Sequence, residues 1–284
     1  MTNNKVTYRE MKSRQKEDLR AKRIDNSIYR NVSTFFAYIF VKLGISPNTI
    51  TISNFFICIL GFIFLSIGTY LSFVIGIVIF ILFKILDYTD GEVARATNKQ
   101  SLEGLHFEGM QDYIYYTCLG LGLGIGLFRL YQSEIHLYLG FFLTFVFIVR
   151  YAMTDLLKSV LRKGVIDKKI SKTLSDKNIQ KKLLDKISKD HSWADRNIFL
   201  RMFGIHPPGL IYSIEFIGPI LVVLALIEYL VSIYINFPLT VYGQAIGILS
   251  IYLFVVGIAK LIEIVSFITK MVKNKYITNF LNEL

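Results

Sequence analysis

Long apolar blocks separated by short polar stretches dominate the chain. Six blocks are nearly free of charge, at residues 50–65, 71–86, 113–131, 137–153, 210–235 and 245–268. A helix of about 20 apolar residues crosses the hydrocarbon layer of a membrane, and it satisfies its own backbone hydrogen bonds there. The pattern therefore predicts an all-α, polytopic membrane protein with six transmembrane helices, of which the first two are short.

Composition and charge support this class and add an orientation. Of the 284 residues, 53% are hydrophobic and 19% are charged, whereas about a quarter are charged in a typical soluble domain. The net charge of +11 is concentrated in segments 1–44 and 158–206, and the intervening turns are nearly neutral. The positive-inside rule then places both termini and the long loop in the cytoplasm. No nucleic-acid partner is expected, because no recognisable binding module accompanies the basic charge.

The same pattern divides the chain into four parts. Residues 1–45 form a basic arm followed by an amphipathic interfacial helix, in which aromatic residues mix with Arg30 and Lys42. Residues 46–156 hold the first four spans, and residues 209–284 hold the last two and a tail. Residues 157–208 are a basic cytoplasmic insertion. It either forms surface helices or binds a partner, and the sequence leaves both alternatives open.

Four acids mark the predicted cytoplasmic ends of the second and third spans. Asp87 and Asp90 are three residues apart, and Glu108 and Asp112 are four apart, so each pair lies on one face of its helix. Ionisable groups at the edge of a membrane are costly unless something compensates them. If the two pairs face each other, one or two divalent cations would relieve their repulsion. Carboxylates with water suit Mg²⁺ or Mn²⁺.

Small residues and an arginine accompany the acids. Gly91, Ala94 and Gly104 leave room for a ligand to approach the backbone, and Arg95 offers a planar fork to phosphate oxygens. Each residue taken alone is also explained by a structural role, at a helix end, in an ion pair or in a turn. The whole spacing favours a site for a phosphate-bearing ligand and metal.

This segment resembles the signature of the CDP-alcohol phosphotransferase family, Asp-x2-Asp-Gly-x2-Ala-Arg-x8-Gly-x3-Asp-x3-Asp. Every fixed position from Asp87 to Asp112 matches except the third acid, which is Glu108 in this chain. Residues 46–51, Ser-Pro-Asn-Thr-Ile-Thr, also resemble the stretch that opens the first span in this family. The motifs together cover residues 46–112, and the arm and the insertion lie outside them.

The resemblance implies an enzyme that passes a phospho-alcohol group from a CDP-linked donor to a hydroxyl of a lipid, polyol or glycan acceptor and releases CMP. It implies a two-ion Mg²⁺ or Mn²⁺ site with Asp87, Asp90, Glu108 and Asp112 as ligands, and Asp112 as the general base. The residues expected to border the nucleotide are Asn48, Thr51, Gly91, Ala94, Arg95, Ser101 and Gly104. The direction of transfer stays open, and a homodimer is expected from the family alone.

Two rival functions and two outlying polar sites remain. A divalent-cation transporter would explain the acids but not Gly91, Ala94 and Arg95. A catalytically idle scaffold is the alternative that Glu108 raises, because its extra methylene changes the reach of the third acid.

Arg150, near the end of the fourth span, either receives a phosphate or anchors the helix at the interface. Lys260 and Glu263, in the sixth span, either pair with each other or line the acceptor pocket.

Overall fold

A computed structural model describes residues 7–17, 24–166, 214–234, 239–241 and 244–273. Within these residues the regular secondary structure is helical apart from one small antiparallel hairpin, which joins β1 (Leu239–Val241) to β2 (Gln244–Ile246). The helices are α1 (Tyr8–Glu17), α2 (Ile24–Lys42), α3 (Pro47–Ile67), α4 (Tyr70–Thr97), α5 (Leu102–Tyr131), α6 (Ile135–Ile166), α7 (Ile214–Tyr234) and α8 (Ile248–Lys273).

The predicted all-α class is confirmed. Five helical segments of the described part are long and apolar enough to cross a membrane: Pro47–Ile67, Tyr70–Thr97, Gly109–Tyr131, Ile135–Met153 and Ile248–Thr269. The apolar stretch of α7, Gly218–Ile233, is shorter, so the sixth span stays a prediction. The interfacial position of α2 also stays a prediction, as do the four predicted parts of the chain. Most of the insertion lies outside the described residues.

The chain divides into two compact units. One comprises Met1–Thr144 with Gly218–Ser250, and the other comprises Phe145–Ile217 with Ile251–Leu284. All residues of the predicted active site belong to the first unit. The second unit contains the later part of α6 and most of α8.

Caps set the beginnings of the helices that carry the signature. The side chain of Ser46 accepts a hydrogen bond from the Thr49 amide at 3.2 Å, and Pro47 occupies the first turn of α3. Thr69 and Ser72 form a reciprocal capping box that begins α4. The side chain of Ser101 caps α5. The two helices with the predicted acids therefore begin at positions that local sequence defines.

Helix α3 shows how the first unit packs. Its buried face repeats at helical spacing and contains small and polar residues as well as apolar ones: Pro47, Ile50, Thr51, Asn54, Cys58, Gly61 and Leu65. Beyond Ser53, its exposed residues are all apolar: Phe56, Ile59, Leu60, Ile63 and Ile67. An apolar exterior around an interior that holds small and polar residues is the arrangement that a lipid solvent favours.

Close packing around α5 makes a prediction about Gly126. A Cβ atom at this position would overlap the carbonyl oxygen of Leu65 and lie 2.9 Å from the ring of Phe73. We expect Gly126→Ala to cost about 1–3 kcal/mol, as overpacking does in other cores. Thermal unfolding in detergent measures this cost.

Gly109 on the same helix provides the matched control, because a Cβ atom there would meet no atom within 4 Å. Gly109→Ala should raise the unfolding temperature slightly, since alanine favours a helix over glycine by about 1 kcal/mol. Equal unfolding temperatures for the two variants would contradict this account of the α5 contact.

The second unit contains a buried ion cluster. Arg150 on α6 donates to Glu263 on α8 at 2.9 Å from Nε and 2.5 Å from Nη2, and Lys260 Nζ lies 2.9 Å from the other Glu263 oxygen. All three residues are at most 6% exposed. Lys260 and Glu263 therefore pair with each other, as one sequence alternative held. Arg150 occupies the interior of its unit and not the exposed position that an interfacial anchor needs.

Candidate active site

The predicted site lies along one face of α4. Lys84, Asp87, Gly91 and Ala94 follow one another at spacings of three and four residues, which places them on the same side of the helix. The side chains of Lys84 and Asp87 are each 13% exposed, and that of Asp112 on α5 is 16% exposed. The face is therefore largely shielded from solvent.

Lys84 joins two of the predicted acids. Its Nζ lies 3.3 Å from Asp87 Oδ2 and 2.8 Å from Asp112 Oδ1, so one ammonium group bridges carboxylates of α4 and α5. The ring of Tyr115 lies under the same ammonium, with its centroid 4.8 Å from Nζ. The structure thus brings Asp87 and Asp112 to the same ammonium group, which belongs to the protein.

Lys84 was missed by the sequence analysis because it falls inside the apolar block 71–86. A signal was present, since a charged residue within a span is costly and usually has a partner or a function. Its position three residues before Asp87 places both on one helix face.

Thr51 links Asp90 to the rest of the site. Its hydroxyl lies 2.8 Å from Asp90 Oδ2 and 3.1 Å from the carbonyl oxygen of Pro47. Its own carbonyl accepts a hydrogen bond from Gln111 Nε2 at 2.8 Å. Helices α3, α4 and α5 therefore meet at this threonine. Gln111, which directly precedes Asp112 and is fully buried, was not anticipated from the sequence.

The opposite side of α4 is fixed by α2. Glu92 Oε1 accepts from the Ser33 hydroxyl at 3.0 Å, and the Thr89 hydroxyl lies 3.4 Å from the Ser33 carbonyl oxygen. Arg30 also lies over the ring of Tyr88, with 5.5 Å between the guanidinium carbon and the centroid. These contacts set the rotation of α4 about its axis, and hence the direction in which its acids point. Glu92 occupies a variable position of the signature and was not singled out.

The residues expected to border the nucleotide are distributed over the same helix ends. Asn48 and Arg95 are exposed. The Arg95 guanidinium lies over Gly91, because a Cβ atom on that glycine would be 3.2 Å from Nη1. Glycine at position 91 therefore gives Arg95 room to fold back along α4. Ala94 is half-buried.

Ser101 and Gly104 have a structural role in addition to the predicted one. The Ser101 hydroxyl accepts from the Gly104 amide at 3.0 Å and so caps the helix that carries Asp112. A Cβ atom on Gly104 would lie 3.3 Å from that hydroxyl oxygen, closer than most such contacts. Both residues therefore help define where α5 begins.

The metal site stays a prediction. Glu108 lies in α5, but its side chain is outside the described set. Among the side chains that are described, no three acids, histidines or cysteines form a group that would hold a metal. Asp87 and Asp112 nevertheless share one cation, and carboxylate oxygens are the donors that Mg²⁺ and Mn²⁺ prefer. These two residues fit a cation site.

Comparison with known protein families gives a match. Residues 44–184 match the model of a family described as CDP-alcohol phosphatidyltransferase. The matched range includes the signature segment from Asp87 to Asp112 and the start of α3 at Pro47. A comparison with curated proteins found no match.

Proposed function

Because residues 44–184 match the model of the CDP-alcohol phosphatidyltransferase family, we propose that the chain belongs to this family and transfers a phospho-alcohol group from a CDP-linked donor to a hydroxyl acceptor within a membrane. The convergence of Asp87 and Asp112 on one cation, between α4 and α5, is the observation that supports this most strongly. It brings together acids that are 25 positions apart in the signature.

The proposed reaction is a displacement at phosphorus. The acceptor oxygen forms a bond to the phosphorus of the transferred group, and the bond from that phosphorus to the CMP oxygen breaks. CMP leaves with the bonding electrons. Asp112 accepts the proton of the acceptor hydroxyl. Since Lys84 bonds to Oδ1 of Asp112, Oδ2 is the oxygen that we assign to this proton.

The other residues bind and orient. Asp87, Asp90, Glu108 and Asp112 would hold Mg²⁺ or Mn²⁺, which neutralises the diphosphate and the charge that develops on the leaving CMP. Arg95 would bind phosphate oxygens beside Gly91. Asn48, Thr51, Ala94, Ser101 and Gly104 would border the nucleotide.

A transporter is a weaker proposal. The ammonium of Lys84 already bridges Asp87 and Asp112, and a tethered cation at that point opposes the passage of free ions. A transport function also does not explain why Gly91 lies beside Arg95.

Orientation and assembly complete the proposal. We place both termini and the active site in the cytoplasm, because the basic segments lie on that side in the charge pattern. Labelling of Lys99→Cys by a membrane-impermeant thiol reagent in sealed vesicles of known sidedness tests this, and labelling from the non-cytoplasmic side would contradict it. A homodimer is proposed on the family relationship alone, and light scattering of the purified protein in detergent tests it.

CMP release tests the function and its direction. Full-length protein in detergent with Mg²⁺ or Mn²⁺ would receive CDP-diacylglycerol or individual soluble CDP-alcohols, each with pooled hydroxyl acceptors. We expect CMP from one class of donor, and mass spectrometry of the product then distinguishes phosphatidyl transfer from head-group transfer. Folded protein that forms no CMP from either class would contradict the proposal.

A further inference from the structure

We infer that Lys84 is a built-in cation of the active site, which takes the place of one of the two divalent ions expected from four acids. The inference rests on the proposed function, because it concerns the metal content of the same site. It assigns to Lys84 a positioning role: its ammonium holds Asp87 and Asp112 at a fixed separation between α4 and α5.

Lys84 forms an ion pair with each of two acids. Its Nζ lies 3.3 Å from an Asp87 oxygen and 2.8 Å from an Asp112 oxygen, so the ammonium occupies the space between the two carboxylates. The bridge joins two different helices, so it also fixes how α4 and α5 face each other at this level. One position between the acids is therefore filled by the side chain.

The surroundings of Lys84 favour its staying there. The side chain is 13% exposed, and its Nζ lies 4.8 Å from the Tyr115 ring centroid and 5.8 Å from that of Phe83. Aromatic faces attract a cation, most strongly where water is excluded. Leaving the two carboxylates would place the ammonium among apolar groups of the span, which is costly for a charged group.

Charge gives the second argument. Four carboxylates carry four negative charges, which two divalent ions balance. With the Lys84 ammonium in place, one divalent ion leaves a single negative charge. A second divalent ion beside Asp87 and Asp112 would lie next to a positive charge in a poorly solvated region, where like charges repel strongly. One divalent ion is therefore expected among the four acids.

Counting bound Mn²⁺ by electron paramagnetic resonance tests the inference without using turnover. We expect the full-length protein in detergent to bind one Mn²⁺ per chain at saturation. Lys84→Met, which keeps length and apolar bulk but removes the charge, should bind two. Lys84→Arg keeps the charge and should bind one. Lys99→Met, at an exposed lysine just beyond α4, is the matched control and should also bind one.

Several results would overturn the inference about Lys84. Two Mn²⁺ ions on the unsubstituted chain would mean that Lys84 is displaced, and this result does not depend on the folding of any variant. A folded Lys84→Met protein that still binds one ion would equally contradict it. CMP release measured on the same preparations separates the two proposals. Two bound ions with CMP release refute only the role of Lys84, whereas absence of both Mn²⁺ binding and CMP release refutes the proposed function as well.

Discussion

Asp112→Asn should lower the rate of CMP release by at least about 10²- to 10⁴-fold, the contribution usual for a general base. The amide oxygen of asparagine still accepts a hydrogen bond from Lys84, so the contact between α4 and α5 is retained. What is lost is the group that takes the acceptor's proton, together with one negative charge. The measurement is the initial rate of CMP formation at saturating donor and Mn²⁺.

A control substitution and a Mn²⁺ titration distinguish the loss of a general base from the loss of a metal ligand. Asp155→Asn changes an exposed acid on α6 and should leave the rate unchanged. If Asp112 acted as a metal ligand alone, excess Mn²⁺ would restore the rate of Asp112→Asn. We expect no restoration. A variant with the rate of the unsubstituted protein would remove Asp112 from the mechanism.

Glu263→Gln should lower the free energy of unfolding by about 3–5 kcal/mol, the usual effect of removing one partner from a buried ion pair. The carboxylate lies between the side chains of Arg150 and Lys260, and all three groups are buried in their unit. Glutamine has nearly the same shape, so the loss comes from charge and not from a cavity. Unfolding of the purified protein in detergent, followed by circular dichroism, measures the change.

Glu134→Gln is the control for this second prediction. Glu134 is exposed at the start of α6, and its substitution should change stability by no more than about 0.5 kcal/mol. Lys260→Met keeps the bond between Arg150 and Glu263, and so should cost less than Glu263→Gln. Equal stabilities of the Glu263 and Glu134 variants would show that the cluster in the second unit contributes little.

The membrane class and the helix beginnings could be predicted because they depend on local sequence. Ser46 and Pro47 combine a capping side chain with a residue suited to the first turn, and the structure begins α3 there. The length of the apolar block at residues 210–235 was a weaker guide to the membrane span predicted for α7. Its described apolar stretch is shorter than a full span, and Pro219 lies within the helix.

The partners of buried charges could not be predicted from spacing. Lys84 was treated as part of an apolar block, and its two carboxylates become visible only when α4 and α5 are placed side by side. Thr51 and Gln111 meet in the same way, across 60 positions of sequence. Spacing identifies residues on one helix face, but contacts between helices depend on how the faces are aligned.

Glu108 is the position at which the chain departs from the signature that it resembles. Glutamate has one more methylene than aspartate, so its carboxylate reaches further from the same backbone. With Lys84 bridging Asp87 and Asp112, a longer acid at position 108 is compatible with a single-ion site. Glu108→Asp should therefore lower the affinity for Mn²⁺ and should not increase the rate of CMP release. A marked gain in rate would identify glutamate as the cause of an impaired site.

Metal-dependent CMP formation by the unsubstituted protein tests the central claim most directly. The full-length chain in detergent would be incubated with each CDP-linked donor, pooled acceptors and Mn²⁺, with and without EDTA. The account predicts CMP from one donor class, loss of that signal with EDTA, and its loss in Asp112→Asn. Folded protein that binds Mn²⁺ yet forms no CMP from any donor, with Glu108→Asp equally inactive, would contradict it.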